Sequence, residues 1–534
     1  MAETTDSPFF ILPGAAMPAA ADAAVLGSKA AGLARLARAG LRVPPAFVLG
    51  TPVCRDYFAR GGRLSSEVRG MLEAGLARLG DATGRQYGDT RRPLLLAVRS
   101  GAPVSMPGML ETVLNVGLTE HNLAGFLRAT GNPRLVRDCY RRLIRDFTVV
   151  VHGRAAAPFD ALAERHCREQ GIASVRELDS ASLAQLCAES LETSLAVSGR
   201  AFPQSPLEQL EQAVDAVFRS WESDKARHYR RLHDLDESLG TAVTMQAMVF
   251  GNSGSTSGAG VGFTRDPASG ENSLYLDFLC NAQGEDVVSG RHAVDDTARL
   301  ARRLPLVAQE LRALKAVLEA EFRDMQDFEF TVMDGRLYLL QTRAGKRTPW
   351  AALRMAVEMV REGQITQREA LALLRPYDLG RIERTRLERD LHAEPLATAV
   401  AAGIGVAAGG VAFDSRRAVE LAARGQPVIL VRPQIETGDI EGIAASDGVL
   451  TAAGGRTSHA AVIARQLGKV CLVACPQLTI EGDGHGCSIG GRRLAEGELI
   501  TLDGDGGRIY QGRLPVIHER PLQELAEISS WGAG

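Results

Sequence analysis

The sequence predicts a multidomain protein of mixed class, an α+β part interrupted by a helical insertion and followed by a compact α/β unit. Three observations predict it. A length of 534 residues, at about 150 residues per domain, allows three or four separate cores. The apolar period is helical over about 155–235, strand-like between 242 and 342, and alternates between strand and helix after 427. The 56 glycines gather at 251–262, 403–410, 454–455 and 482–507, where backbone must turn tightly or approach a ligand.

Composition removes several function classes. Lys plus Arg is 61 against 64 for Asp plus Glu, so a generally basic nucleic-acid coat is excluded, and no nucleic-acid partner is expected. An aromatic content of 5% argues against base-stacking platforms. No run approaches 18 apolar residues, so no membrane span is expected. The N-terminus starts acidic and Pro13 and Gly14 break its apolar run, so no signal peptide is read. Eight cysteines without a CxxC pair suit a reducing cytoplasm, and Cys471 and Cys475 read as small buried thiols.

Along the chain, LGSKAAGLARLARAGLRVPPAFVL (26–49) opens with a Gly-Ser-Lys turn, runs as an amphipathic helix to Gly40 and ends in a strand after Pro44 and Pro45. Lys29 is misplaced at a helix N-terminus unless it meets an anion. LLLAVRSGAPVSMPGMLETVLNVGL (94–118) is a buried strand carrying Arg99, which suits phosphate or a structural carboxylate, followed by a loop punctuated by Gly and Pro. Leu183, Leu186, Leu191 and Leu195, then Leu207, Leu210, Val214 and Phe218, recur at helical spacing.

Strands are predicted at 242–250, 273–279, 328–333 and 336–342, the last two joined by Asp334-Gly335, a two-residue hairpin signal. Between the first two, GNSGSTSGAGVGF is either a phosphate-wrapping loop with hydroxyls from Ser255, Thr256 or Ser257, or a plain long hairpin. Strand alternation puts Asp327, Glu329 and Thr331 on one face and Gln341 and Arg343 on one face of the partner. Such carboxylates beside an arginine suit Mg²⁺ and nucleotide phosphate, or else a solvated ion-paired surface. Residues 350–398, with RIERTRLERDLHAEP carrying both signs of charge, read as a solvated helix or linker with a boundary near 395. Strands at 427–433, 448–452, 469–475 and 498–512 and a helix at 458–468 follow. In GGRTSHAAVIARQLG (454–468), Thr457 or Ser458 is the N-cap and His459 lies in the first helical turn. Free N–H groups and the dipole there would hold a phosphoryl group on a neutral imidazole; the alternative is a surface histidine on a capped helix.

In this order the segments resemble the pyruvate, phosphate dikinase family. GSKAAGLARL, AVRSGAPVSMPGMLETVLN, GVGFTRDPASGE, NAQGEDVVSG, DMQDFEFTVMDGRLYLLQTRAGKRT and GGRTSHAAVIAR carry the resemblance over about 20–520. It implies an ATP-grasp nucleotide domain at 1–346 with its helical insertion at about 120–235, a helical linker at 347–394, a swivelling β/β/α phosphohistidine domain at 395–512 and a tail at 513–534. It implies ATP and Mg²⁺ as cofactors. Nucleotide-site positions fall on Lys29, Arg99, Glu285, Asp327, Glu329, Gln341 and Arg343, with metal held by Asp327, Glu329 and Gln341. Gly258 and Gly260 fall in the phosphate-covering loop, and His459 is the phosphoacceptor. Asp277 stands where the family often has Glu, which would shift a ribose or metal contact, and GIGVAAGG lacks a proline of the family's turn. Thr457 matches a position phosphorylated in plant members, but that regulation is not expected of this chain.

The implied reaction is a dikinase cycle. ATP pyrophosphorylates His459, inorganic phosphate removes the outer phosphoryl as pyrophosphate, and phospho-His459 donates to pyruvate, giving phosphoenolpyruvate. No (β/α)₈ pattern is present in the 534 residues, so the pyruvate site is expected on a separate barrel-containing chain. Alternatives are another hydroxyl acceptor on a partner subunit, water in place of phosphate, and a non-catalytic phosphocarrier.

Overall fold

The computed structural model describes residues 7–14, 22–104, 106, 109–288, 294–388, 393–435, 437–481 and 486–531. The chain forms two compact units, Met1–Val249 with Tyr338–Gln341, and Phe250–Leu337 with Thr342–Gly534. The division therefore falls at 249/250, inside the stretch expected to be one nucleotide domain.

In the first unit β1 (Phe9–Ile11), β2 (Ala46–Leu49), β3 (Leu96–Gly101), β4 (Thr112–Val116) and β5 (Ala242–Ala247) form a sheet of order β1-β2-β5-β3-β4. All its pairings are antiparallel. Every residue of β2 and β5 is buried, as their near-continuous apolar runs require. Helix α1 (Ala23–Arg38) is capped by Asp22, whose Oδ1 accepts from Ala24 N at 2.8 Å. It breaks at Gly27 (φ 75°), which lies directly against the Gly101 carbonyl, and Ser28 N then donates to Ala102 O at 2.9 Å. Only glycine combines that φ with so close an approach, so the Gly-Ser-Lys turn is real and Lys29 sits just past the restart of the helix. The insertion is helical and includes α2 (Pro133–Val150), α3 (Ser180–Ser198) and α4 (Pro206–Ser220). Leu183, Leu186, Leu210, Val214 and Phe218 are buried, whereas Leu195 and Leu207, expected on the same stripes, are exposed at 52% and 38% near helix ends.

The second unit contains a four-stranded sheet of β6 (Gly258–Phe263), β7 (Tyr275–Cys280), β8 (Gln326–Met333) and β9 (Arg336–Ala344), in the order β9-β8-β6-β7. The β8–β9 turn has Asp334 at φ 51° and Gly335 at φ 76°, the two left-handed residues of a type I′ hairpin. Helices α5 (Pro349–Arg361) and α6 (Gln367–Leu374) follow. The charged segment after them is not the expected helix. β10 (Arg384–Leu387) is a strand paired antiparallel with residues 516–519, and Glu519 accepts from Arg384 Nε at 2.9 Å. Residues 389–392 of the same segment lie outside the described residues.

From β11 (Ala397–Thr398) the chain builds an eight-stranded mixed sheet with β12 (Val400–Ala401), β13 (Val406–Ala412), β14 (Val428–Arg432), β15 (Gly448–Thr451), β16 (Val470–Val473), β17 (Leu499–Asp503) and β18 (Arg508–Gln511). Its spatial order is β11-β18-β17-β13-β14-β15-β16-β12, with β13 to β16 parallel. One core layer forms around Ile429, Val431, Leu450, Leu472 and Leu502; the other lies under the helices and includes Val428, Leu430, Ala461 and Ala464. Helix α7 (His459–Gln466) follows β15.

Candidate functional site

In the first unit Arg99, half-buried on β3, donates from Nη1 to Gln246 Oε1 and to Leu340 O, each at 3.3 Å. Leu340 precedes Gln341, which is 7% exposed. Lys29 is half-buried on α1, on a helix anchored to the 101–102 backbone through Gly27 and Ser28. The expected cationic pair is therefore carried by elements tied to one another.

In the second unit Arg343 Nε donates to Asp327 Oδ2 at 2.8 Å across the β8–β9 hairpin, as the predicted strand phase requires. The solvated-surface alternative fails at Asp327, which is 6% exposed. Burial raises the Asp327 carboxyl above its ordinary range, Arg343 opposes the rise, and Glu329 adds to it. The Arg343 guanidinium is pulled down by burial, but Asp327 more than offsets this and the net shift is upward. Two like charges two residues apart on one strand face form a donor set that a hard divalent cation would relieve. No group of three or more His, Cys, Asp or Glu suited to a metal occurs among the described residues. Two carboxylates suit Mg²⁺ rather than a closed protein cage, because Mg²⁺ keeps waters and takes phosphate oxygens.

Gly258 and Gly260 are not in a loop but in buried strand β6, where the rings of Phe278 and Phe330 occupy the space a Cβ would need. Gly262 does the same for Phe328. These glycines let aromatic side chains lie flat on the sheet. The loop proper is 251–257, and it is fixed on two sides. Ser257 Oγ accepts from Asp334 N at 3.0 Å and Gly335 N donates to Thr256 O at 2.9 Å. Asn281 N donates to Ser257 O at 2.8 Å. The Ser257 hydroxyl thus holds the hairpin turn, while Ser255 and Thr256 are exposed. Glu285 is exposed on the short helix Gly284–Val288.

His459 is the first residue of α7, and Ser458 is its N-cap, with Oγ accepting from Ala461 N at 3.5 Å. The side chains of His459 and Ala460 lie outside the described residues. The preceding loop turns at Gly454 (φ 112°). Thr457 donates from both N and Oγ to Asp277 Oδ2, at 2.7 and 2.8 Å. Gly455 packs against the same carboxylate, and a Cβ there would meet Oδ2 at 2.6 Å. Arg456 lies over the Tyr275 ring at 4.7 Å, and the buried Arg465 lies 5.3 Å from the Phe263 ring and donates to Arg456 O at 3.0 Å. Asp277, expected at a ribose or metal, instead has one oxygen committed to the loop before His459. The sequence offered only a weak signal for this, an acid in an otherwise apolar strand.

Burial pushes the Asp277 carboxyl upward against the two Thr457 bonds, and the net shift is a rise. A raised carboxyl gives stability that is present below the unfolded pKa and is lost as pH rises through the folded value. Asp277→Asn keeps an acceptor and removes that titration. Its melting temperature is expected to gain on the parent's between about pH 4 and about pH 7, by about 2 °C, the change that about 1 kcal/mol makes in a large domain. Parallel thermal melts at the two pH values check this; a constant difference would refute it.

Residues 63–309 match the family described as pyruvate phosphate dikinase, AMP/ATP-binding domain, and 425–507 match the PEP-utilising enzyme, mobile domain. Asp277 and Thr457 belong to these two matched segments. The chain is 41% identical over 519 residues to a pyruvate, phosphate dikinase of Clostridium symbiosum, covering 95% of this chain and 58% of the relative. It is 38% identical over 530 residues to that of Rhizobium meliloti (strain 1021), with 97% and 59% covered, and 40% identical over 509 residues to pyruvate, phosphate dikinase 2 of Zea mays, with 95% and 58% covered. The chain thus spans a little under three fifths of the curated relatives it matches. Its multidomain α/β fold, the nucleotide-domain segment and the mobile-domain segment together make it similar to the pyruvate, phosphate dikinases along nearly its whole length.

Proposed function

We propose that this chain is a dikinase of the pyruvate, phosphate dikinase type and carries its ATP-driven half. The observation that supports this most is the bonding of Thr457, two residues before His459, to Asp277 of the segment matching the AMP/ATP-binding domain. The backbone of a helix start that bears His459 is held against the part of the chain that resembles a nucleotide domain.

In this reading Lys29, Arg99 and Arg343 balance phosphate charge. Asp327, Glu329 and Gln341 are the residues that would hold Mg²⁺, which supplies charge neutralisation at the phosphates when bound. An imidazole nitrogen of His459 attacks the β-phosphorus of ATP. The bond from that phosphorus to the α–β bridging oxygen breaks, AMP leaves with the electron pair, and the imidazole proton goes to solvent. An oxygen of inorganic phosphate then attacks the outer phosphorus, releasing pyrophosphate and leaving phospho-His459. Positioning and electrostatic stabilisation carry such a step. Pyruvate is proposed as final acceptor from the names of the relatives. The eight cysteines, with no CxxC pair in the sequence, support a reducing, cytoplasmic setting. Among the described residues no helix is long and apolar enough to cross a membrane.

The test is incubation with ATP labelled separately at the β and γ positions. The expected result is AMP, with β label retained on the protein in an acid-labile, base-stable form and γ label released as pyrophosphate when phosphate is added. Formation of ADP with only γ label on the protein would overturn the reading.

A further inference from the structure

The central strand β5, AVTMQA, is buried along its whole length, yet it places Thr244 and Gln246 on one face. Across the register Thr244 pairs with Arg99 and with Val48, and Gln246 pairs with Ala97 and with Ala46. Paired residues share a face of the sheet, so this face carries Arg99, Thr244 and Gln246 together. Met245 and Val243 on the opposite face are fully buried apolar packing. Gln246 is 2% exposed. A buried primary amide has two donors and an acceptor with two lone pairs to satisfy, and methionine would fill the same volume without them. Its acceptor Oε1 receives Arg99 Nη1 at 3.3 Å, and its Nε2 donates to Pro44 O at 3.5 Å. Arg99 Nη1 also donates to Leu340 O at 3.3 Å. A long, flexible side chain is thereby referred to two fixed points. One is the middle strand of the sheet, and the other is the strand that continues into Gln341.

We infer that Gln246 is a positioning residue: its side-chain oxygen fixes the guanidinium of Arg99 in the orientation in which it meets phosphate. The inference rests on the nucleotide role proposed above for Arg99, and adds a residue that acts on ATP only through it. Loss of the acceptor leaves Arg99 charged and present but without the contact that refers it to the middle strand. The expected cost falls on the chemical step, because a displaced group reduces rate more than it reduces ground-state binding.

The experiment compares Gln246→Met, Gln246→Glu and Thr244→Val in the full 534-residue chain, with two readouts. The first is the crystal structure of each variant. The second is single-turnover AMP formation from ATP as a function of ATP concentration. For Gln246→Met the Arg99 guanidinium is expected to leave Leu340 O. The rate at saturating ATP is expected to fall on the order of 10-fold, with half-saturation moving less than about 3-fold. Gln246→Glu keeps an acceptor oxygen and is expected to restore both the Arg99 position and most of the rate. Thr244→Val serves as the control on the same face. Its hydroxyl has no hydrogen-bond partner among the described residues, so its removal should leave rate and Arg99 unmoved. In an Arg99→Met background Gln246→Met should cause no further loss, since its effect passes through that arginine.

Arg99 unmoved in the Gln246→Met structure overturns the inference, as does an equal loss from Thr244→Val or an undiminished loss in the Arg99→Met background. If the parent chain makes no AMP, the proposed dikinase reading fails instead. The position of Arg99 in the Gln246→Met crystals still decides whether Gln246 fixes it.

Discussion

Replacing His459 by alanine is expected to abolish covalent labelling of the protein by β-labelled ATP while leaving ATP affinity near that of the parent. The backbone supplies the reason. His459 opens α7, its N-cap is Ser458, and the loop before it is fixed through Thr457 to Asp277. Alanine keeps this architecture, since it is the best helix former and is tolerated in a first turn. Folding should therefore change little, and the residues proposed to bind ATP remain in place. What disappears is the only proposed nucleophile, so the loss is complete rather than graded. Labelling followed by acid and base treatment measures it, with equilibrium nucleotide binding in parallel. Base-stable, acid-labile label on the alanine variant would remove His459 from the mechanism.

Arg343→Ala carries the second largest effect, a fall in the charging rate of roughly 10²–10³, the scale for deleting one strong contact to developing charge. Unlike a surface pair, this one joins an arginine whose side chain is 40% exposed to an aspartate that is only 8% exposed. Removing the arginine leaves a buried carboxylate without its partner, which costs several kcal/mol in a fully buried pair. Exposure of the arginine reduces this to about 1–2 kcal/mol. The pH dependence follows from the raised Asp327 carboxyl. Its contribution is lost as pH rises through the folded value, and without Arg343 that value rises further. The stability penalty of Arg343→Ala should accordingly be smallest near about pH 4 and grow toward about pH 7, as followed by denaturant unfolding. Adding Asp327→Asn should recover stability but not rate. Charging at the parent rate in the single variant would place Arg343 outside the phosphoryl-transfer machinery.

Local chemistry was readable wherever a residue's role depends on its neighbours in the chain. The Asp334-Gly335 turn formed because both residues accept positive φ. Gly27 broke the first helix for the same reason, so that Lys29 follows a restart. The alternation of β8 and β9 placed Arg343 beside Asp327, and Ser458, one of the two N-cap candidates, capped α7. In the turn, the cap and the hairpin the governing interaction spans at most 16 residues, and sequence spacing sets the geometry.

The elements that came out differently share the opposite property. RIERTRLERDLHAEP has the charge pattern of a solvated helix, but 384–387 became a strand because a distant partner, Val516 opposite Leu387, offers backbone pairing and Glu519 offers a carboxylate to Arg384. Gly258 and Gly260 looked like loop glycines, yet rings from β7 and β8 decide that they are packing surfaces. Asp277, expected near a ribose or metal, and Gln246, a polar residue within an apolar strand, instead meet Thr457 and Arg99 at hydrogen-bond distance across 180 and 147 positions. By itself the sequence determined the turns, caps and hairpin whose interactions are local, and the residue types able to handle phosphate. Only the tertiary structure decided which of those polar groups meet, because a hydrogen bond is formed at about 3 Å whatever the separation along the chain, and no local pattern encodes a partner that distant.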